Sequence, residues 1–355
     1  MRRAQALLLP LAALVLLGQG CVFPGSRSTS SATDGGVFRT ADAGDSWTQL
    51  AALPAARAIG SIAGANILAL EADPQDAAVL YAGTRENGLI FSLDGAAAWQ
   101  RPRLDVLREG AITDVEVDPQ DVCTVYVVKG QRLYKTEDCL RSFNQDVYVE
   151  TRANVRITDV AVDWYNPSIV WLGESNGDLH KSEDGGRTWR RVFDNRSAVS
   201  TILVHAGDSR RVLVGTEGNG FFRTDDAGQT WTQIRDQLRN MRGSDTVRAL
   251  AQDNGARVAI AATSYGLLRS VDFGETWEPL QLLTAPGQVD IRAVAVGPER
   301  VEDIAYAVTG TFYRTTDGGQ NWTTDRLPST RVPSHLLNDP TAPNAYFLGV
   351  AAAER

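Results

Sequence analysis

Lysine is almost missing from this chain. Of 35 basic residues only Lys129, Lys135 and Lys181 are lysines, against 43 acids, and the formal net charge is −8. There is no basic block, so nucleic-acid binding through phosphate neutralisation is not expected. Histidine is as scarce. His180, His205 and His335 lie far apart, neither CxxC nor HExxH occurs, and no metal site or other cofactor is expected. A nucleotide loop and a Ser-His-Asp arrangement are also lacking, so no residue stands out as catalytic. No apolar run is long enough to span a bilayer comfortably; the nearest is Ala4 to Leu17.

That run has its own meaning. Arg2 and Arg3 precede it, and Gly18, Gln19, Gly20 and Cys21 follow. A basic start, a short apolar core and small residues before a cut read as a secretory signal over residues 1–20. A cysteine directly after small residues resembles a bacterial lipobox. The resemblance implies that Cys21 is lipidated and anchors the chain to the bacterial cell envelope. Residues 21–34, rich in Ser and Thr, then form a tether. Ordinary secretion, with Cys21 a bystander, stays open. Export permits a disulfide between the other two cysteines, Cys123 and Cys139.

Seven copies of one octapeptide dominate the rest. They begin at Thr40, Ser92, Thr136, Ser182, Thr224, Ser270 and Thr315, spaced 52, 44, 46, 42, 46 and 45 residues apart. The pattern is Ser/Thr-x-Asp-x-Gly-x-Ser/Thr/Asn-Trp. It supplies Asp42 and Trp47, Asp94 and Trp99, Asp138 and Phe143, Asp184, Gly186 and Trp189, Asp226, Gly228 and Trp231, Asp272, Gly274 and Trp277, and Asp317, Gly319 and Trp322. Two copies are worn: Ala96 and Leu140 replace the glycine, and Phe143 replaces the tryptophan. An Asp carboxylate can close its own turn by accepting backbone N–H groups. Glycine can take φ > 0 there. The indole can pin the turn to the core. Such a device, repeated at one place in every unit, builds a fold rather than a catalytic site.

A second pattern alternates with it. Strand pairs broken by a polar turn begin at Ile67, Ile112, Ile157, Val199, Val247, Ile291 and Val332. A strand pair plus the pair joined by the octapeptide gives four strands per repeat, the size of a propeller blade. The first octapeptide has no strand pair before it, and the last strand pair has no octapeptide after it. Residues 35–355 therefore predict an all-β, seven-bladed propeller whose chain ends share one blade. The worn third copy suggests a staple: Cys123 and Cys139 fall in turns on one face, and a disulfide there is worth about 3 kcal/mol.

The octapeptide resembles the Asp box, or BNR repeat, of sialidases, sortilin-type receptors, some xyloglucanases and the photosystem II assembly factor family. The last resemblance, with the signal and the arginine-bearing loops between blades, implies a monomeric, non-enzymatic scaffold for a protein or glycan partner. A photosystem II assembly role and a sialidase-like glycoside hydrolase are the alternatives. No Arg-Ile-Pro stretch supports the hydrolase. On the inner strands Asp114 and Asp159 share one position, and Arg248 and Arg292 share its neighbour. These four are the candidate binding residues, at a channel mouth acidic on one side and basic on the other.

Overall fold

The computed structural model describes residues 33–55, 58–342 and 344–353. The expected signal segment, Cys21 and most of the tether lie outside them. Seven antiparallel sheets form blades around a channel, and Ala52–Ala55 pairs with Ala58–Ser61 in a separate two-stranded sheet between blades I and II. Blade I combines Val332–Asn338, Tyr346–Ala351, Gly36–Thr40 and Thr48–Leu50, so both chain ends meet in one sheet. Blade II holds Ile67–Ala72, Leu80–Thr84 and Leu89–Ser92. Blade III holds Asp114–Val117, Val125–Lys129, Arg132–Thr136 and Asn144–Val149. Blade IV holds Ile157–Val162, Val170–Glu174, Asp178–Ser182 and Arg190–Asp194. Blade V holds Val199–Val204, Val212–Thr216, Phe221–Thr224 and Thr232–Ile234. Blade VI holds Val247–Gln252, Ala259–Thr263, Leu267–Ser270 and Glu278–Pro279. Blade VII holds Ala293–Val296, Ile304–Val308, Thr311–Thr315 and Thr323–Arg326. Each inner strand lies beside the next, and that of blade I closes against that of blade II.

The second strands are apolar almost throughout, as in Leu80–Thr84 and Ala259–Thr263, and every residue in those two is buried. They are covered on both faces by neighbouring blades, so the alternation of a half-exposed strand is absent. The core is a set of seams between blades. One joins Trp171 and Leu179 of blade IV to Ile202 and Val214 of blade V.

The octapeptide turns are closed by their own side chains. In blade IV Asp184 accepts the backbone N–H and the hydroxyl of Thr188 at 2.8 and 2.6 Å, and the hydroxyl of Ser182 at 2.8 Å. The Ser182 hydroxyl in turn accepts the Gly186 N–H at 2.8 Å. The Thr188 hydroxyl bond comes first among the causes that hold Asp184 at about 2. Glu183, beside it, pairs with Lys181 at 2.8 Å and Arg190 at 3.3 Å.

The glycine is required twice over. Gly228 has φ +86, and a Cβ there would sit 2.7 Å from the Trp171 ring of the preceding blade. The indoles likewise belong to the seams and not only to their own turns. Trp231 lies edge-on to Trp171, and Trp277 stacks on Phe221 of blade V at 4.7 Å. Trp99 and Trp189 donate their N–H groups to carbonyls of the preceding blade, those of Leu50 and Val147, each at 2.8 Å.

The worn third turn exchanges volumes. Leu140 enters the seam where five copies have glycine and one has Ala96, and the smaller Phe143 stands where the other six have tryptophan. Cys139 and Leu140 both take positive φ, 56 and 64°, which is strained for residues with a Cβ. A disulfide joins Cys139 to Cys123, with Cα atoms 4.0 Å apart, and holds this turn to the neighbouring one.

Blade II differs from the rest. Its outer strand shrinks to one bridge, Phe91 with Gln100. Pro102 follows two residues on and cannot donate to a ladder.

Candidate partner-binding site

The turns within strand pairs and the octapeptide turns share one face of the ring, the box face. The loops between blades and the turns joining second to third strands share the other, the loop face. The channel runs between them, walled by the inner strands.

An inner strand is a sheet edge with unpaired backbone groups. Carboxylates from one blade satisfy the next. Asp114 accepts the Val160 N–H at 2.7 Å, Glu116 that of Val162 at 3.0 Å, and Asp159 that of Ile202 at 2.8 Å. Gln252 and Asn338 reach the other way and donate to Val204 and Val296 carbonyls, each at 2.7 Å. Glu71 of blade II faces the same acids. The wall formed by blades II to IV therefore gathers Glu71, Asp114, Glu116 and Asp159. Enclosure raises all four: Asp114 to about 7, and Glu71, with Asp114 and Asp73 nearby, to about 8. Glu116 and Asp159 also rise, through burial first and their acidic neighbours second.

On the far side of the ring Arg248 and Arg292 share one carboxylate, that of Asp290, at 3.3 and 2.8 Å. Their side chains are 29% and 44% exposed. The four candidate residues thus line one channel in two separate sectors. The acids are committed to backbone, whereas the two arginines retain N–H groups for a further carboxylate. His335, on the blade I inner strand, is pushed down by burial to about 4.

The acid wall has a consequence for stability. A carboxyl group whose folded value is raised holds its proton better folded than unfolded. It favours folding below its unfolded value, and that contribution is lost as pH climbs through the folded one. Between pH 7 and 9 His335 is neutral folded and largely so unfolded, and adds little slope. The melting temperature is expected to fall by roughly 5 °C across that interval, and Glu71→Gln to flatten the decline. Thermal melts at pH 7, 8 and 9 check this.

Sequence reasoning missed a second charged cluster, on the loop face between blades III and IV. Arg152 binds Glu150 in bidentate fashion, Glu174 at 2.6 Å and Asp178 at 2.7 Å. All three carboxylate side chains are at most 4% exposed, and Arg191 also reaches Asp178. The Tyr148 hydroxyl donates to Glu174 at 2.8 Å, with His180 beside both. Glu174, Asp178 and His180 bring ligand-type atoms within 4.8 Å of one another, but the Arg152 guanidinium supplies the positive charge among them. The residues come from three strands and a loop of two adjacent blades and meet only where those blades pack, so no local motif marks them.

The loop face also carries free positive charge. Four successive loops between blades each present an exposed arginine: Arg103, Arg156, Arg196 and Arg242. None of these makes an ion pair among the described residues. Two open grooves lie on this face, one of about 600 Å³ bordered by Arg101 and Arg108, the other of about 450 Å³ bordered by Gln131 and Arg156.

Residues 195–330 match the family model of the photosynthesis system II assembly factor YCF48. The photosystem II assembly lipoprotein Ycf48 of Synechococcus sp. (strain CC9902) is 24% identical over 155 residues, which is 42% of this chain and 40% of that protein. The matched stretches span at most 40% of the length of the curated relatives. Among solved structures, YCF48 from Cyanidioschyzon merolae superposes with a TM-score of 0.61 at 15% identity, covering 81% of this chain and 94% of that one. A GH74 xyloglucanase from Xanthomonas campestris gives 0.63 at 19% identity, covering 81% of this chain and 51% of that one. The chain is a seven-bladed Asp-box propeller, similar in sequence over residues 195–330 to the photosystem II assembly factor family.

Proposed function

We propose that this protein is a non-enzymatic scaffold, anchored to the cell envelope through Cys21, that binds a protein partner with its loop face in the manner of an assembly factor. The arc of unpaired arginines Arg103, Arg156, Arg196 and Arg242 carries the reading. Exposed guanidinium groups without internal partners suit an acidic surface or a chain-terminal carboxylate, and they steer its approach. Arg248 and Arg292 extend the arc to the channel. The relation to Ycf48 supports a protein client. Affinity capture from membranes tests the proposal. Replacing the four arginines by alanine is expected to weaken capture by about tenfold, and more steeply at low salt. Arg248→Ala with Arg292→Ala tests the channel mouth separately. Identical partners, equally retained by all variants, would remove the loop face from consideration.

A second reading is glycan binding. Trp164 and Tyr165 stand on the box face, 46% and 83% exposed. Gln120 holds them by donating to both of their carbonyls, at 3.0 and 2.9 Å. A fixed aromatic pair suits stacking on a sugar ring. The relation to xyloglucanases supports this reading and that of a hydrolase. Turnover of a glucan by the purified protein, lost on changing one acid, would establish the hydrolase.

A further inference from the structure

We propose that blade II is an acceptor for an extended segment of the protein partner, which enters as its missing outer strand. The inference rests on the scaffold reading and specifies how the partner is held. In blades III to V the third strand pairs outward at the position equivalent to Leu89, as Leu133 with Tyr148, Leu179 with Phe193 and Phe221 with Ile234. In blade VI the carbonyl of Leu267 accepts the N–H of Leu280 at 2.9 Å. In blade II the residue equivalent to Leu280 is Pro102, which has no N–H to give. Phe91 exchanges bonds with Gln100 at 3.0 and 2.7 Å, and Gly88 bonds the Gly110 carbonyl at 3.0 Å. Between those two points the outward N–H and C=O of Leu89 have no partner among the described residues, although Leu89 is fully buried.

What covers them is a strap, Arg101 to Glu109. It packs Leu104 and Leu107 against the seam that contains Leu89 but makes no backbone bond to that strand. It is held instead by its own short turn and by Lys129 of blade III, which reaches the carbonyls of Val106 and Glu109. The larger groove of the loop face, about 600 Å³, runs along its outer side past Asn87, Arg101 and Arg108. Unpaired backbone donors and acceptors recognise another backbone, so the occupant is an extended peptide. Its alternate apolar side chains would take the sites that Leu104 and Leu107 now fill. The rim is of mixed charge, with Arg101 and Arg108 beside Glu86, Asp105 and Glu109, and Arg108 already pairs with Asp105 at 3.3 Å, so charge selects no particular side chain of the peptide there.

Amide exchange at Leu89 tests the proposal, with a synthetic peptide of residues 190–195, this chain's own blade IV outer strand, as probe. Saturating peptide is expected to slow Leu89 exchange by at least about tenfold, the mark of a new backbone bond. Pro102→Val restores the missing donor, so its Leu89 amide should be slow already and indifferent to peptide. Leu104→Ala loosens the strap and should tighten peptide binding several-fold, which keeps the test valid if the proline variant folds poorly. Unchanged Leu89 exchange in the wild type, or equal protection in Pro102→Val, overturns strand addition. So does membrane capture by Pro102→Val that equals wild type, a result that leaves the scaffold reading intact.

Discussion

A chain ending at Arg331 is expected to lose cooperative folding. The cut removes Val332–Asn338 and Tyr346–Ala351, the inner half of blade I. Gly36–Thr40 then loses all five of its pairs with the last strand, from Gly36 opposite Val350 to Thr40 opposite Tyr346. Phe347, Leu348 and Val350, all at most 2% exposed, vanish from two seams. Each large side chain contributes about 1.5–3 kcal/mol of burial, so these three alone approach the whole stability of an ordinary domain. The remaining six blades would also present two open sheet edges. Circular dichroism should show no sharp transition, and size exclusion should show aggregates. A sharp melt and a monomeric peak would mean that the ring does not depend on its closing blade.

Arg152→Ala is expected to cost about 3–5 kcal/mol, the range for stranding buried charges. It leaves Glu150, Glu174 and Asp178 with only Arg191 for compensation. The side chain of Arg152 is 46% exposed, so water returns part of the lost interaction and the lower end applies. Arg152→Lys should recover only part, because an ammonium cannot reproduce the fork that grips Glu150. The sign with pH is fixed. Arg152 leads the causes that hold Glu150 near 2, so the stabilisation is present above the ordinary glutamate range and lost as pH falls toward 2. Urea titrations at pH 7 and pH 3 should therefore show a smaller difference between wild type and Arg152→Ala at pH 3.

The ring was legible because its signals are local and repeat. A turn of eight residues that contains its own hydrogen bonds can be read from eight letters, and seven copies fix the blade count. The exceptions were harder. Glu71 and Glu116 lie two positions beyond Ala69 and Asp114 on their inner strands, and aligning those strands exposes them as wall residues. Asp114 and Asp159 were visible as a matched pair, but their bonds to the next blade depend on how two edges meet across the channel. Pro102 carried the notice that blade II lacks a strand, in a stretch that otherwise continues like its neighbours. The Arg152 cluster left no trace, since Tyr148, Glu174 and His180 converge from separate strands of two blades.

The mixed ancestry of blade I also sets how the molecule bears load. Gly36–Thr40 is an interior strand, paired with Thr48–Leu50 on one side and Tyr346–Ala351 on the other. It begins at the loop face, directly after the segment that precedes the ring. A pull applied at Gly36 along the strand axis acts across hydrogen bonds that lie perpendicular to it. The bonds on both flanks are then sheared together instead of being peeled one at a time. The point where the chain enters the propeller is thus its mechanically firm end.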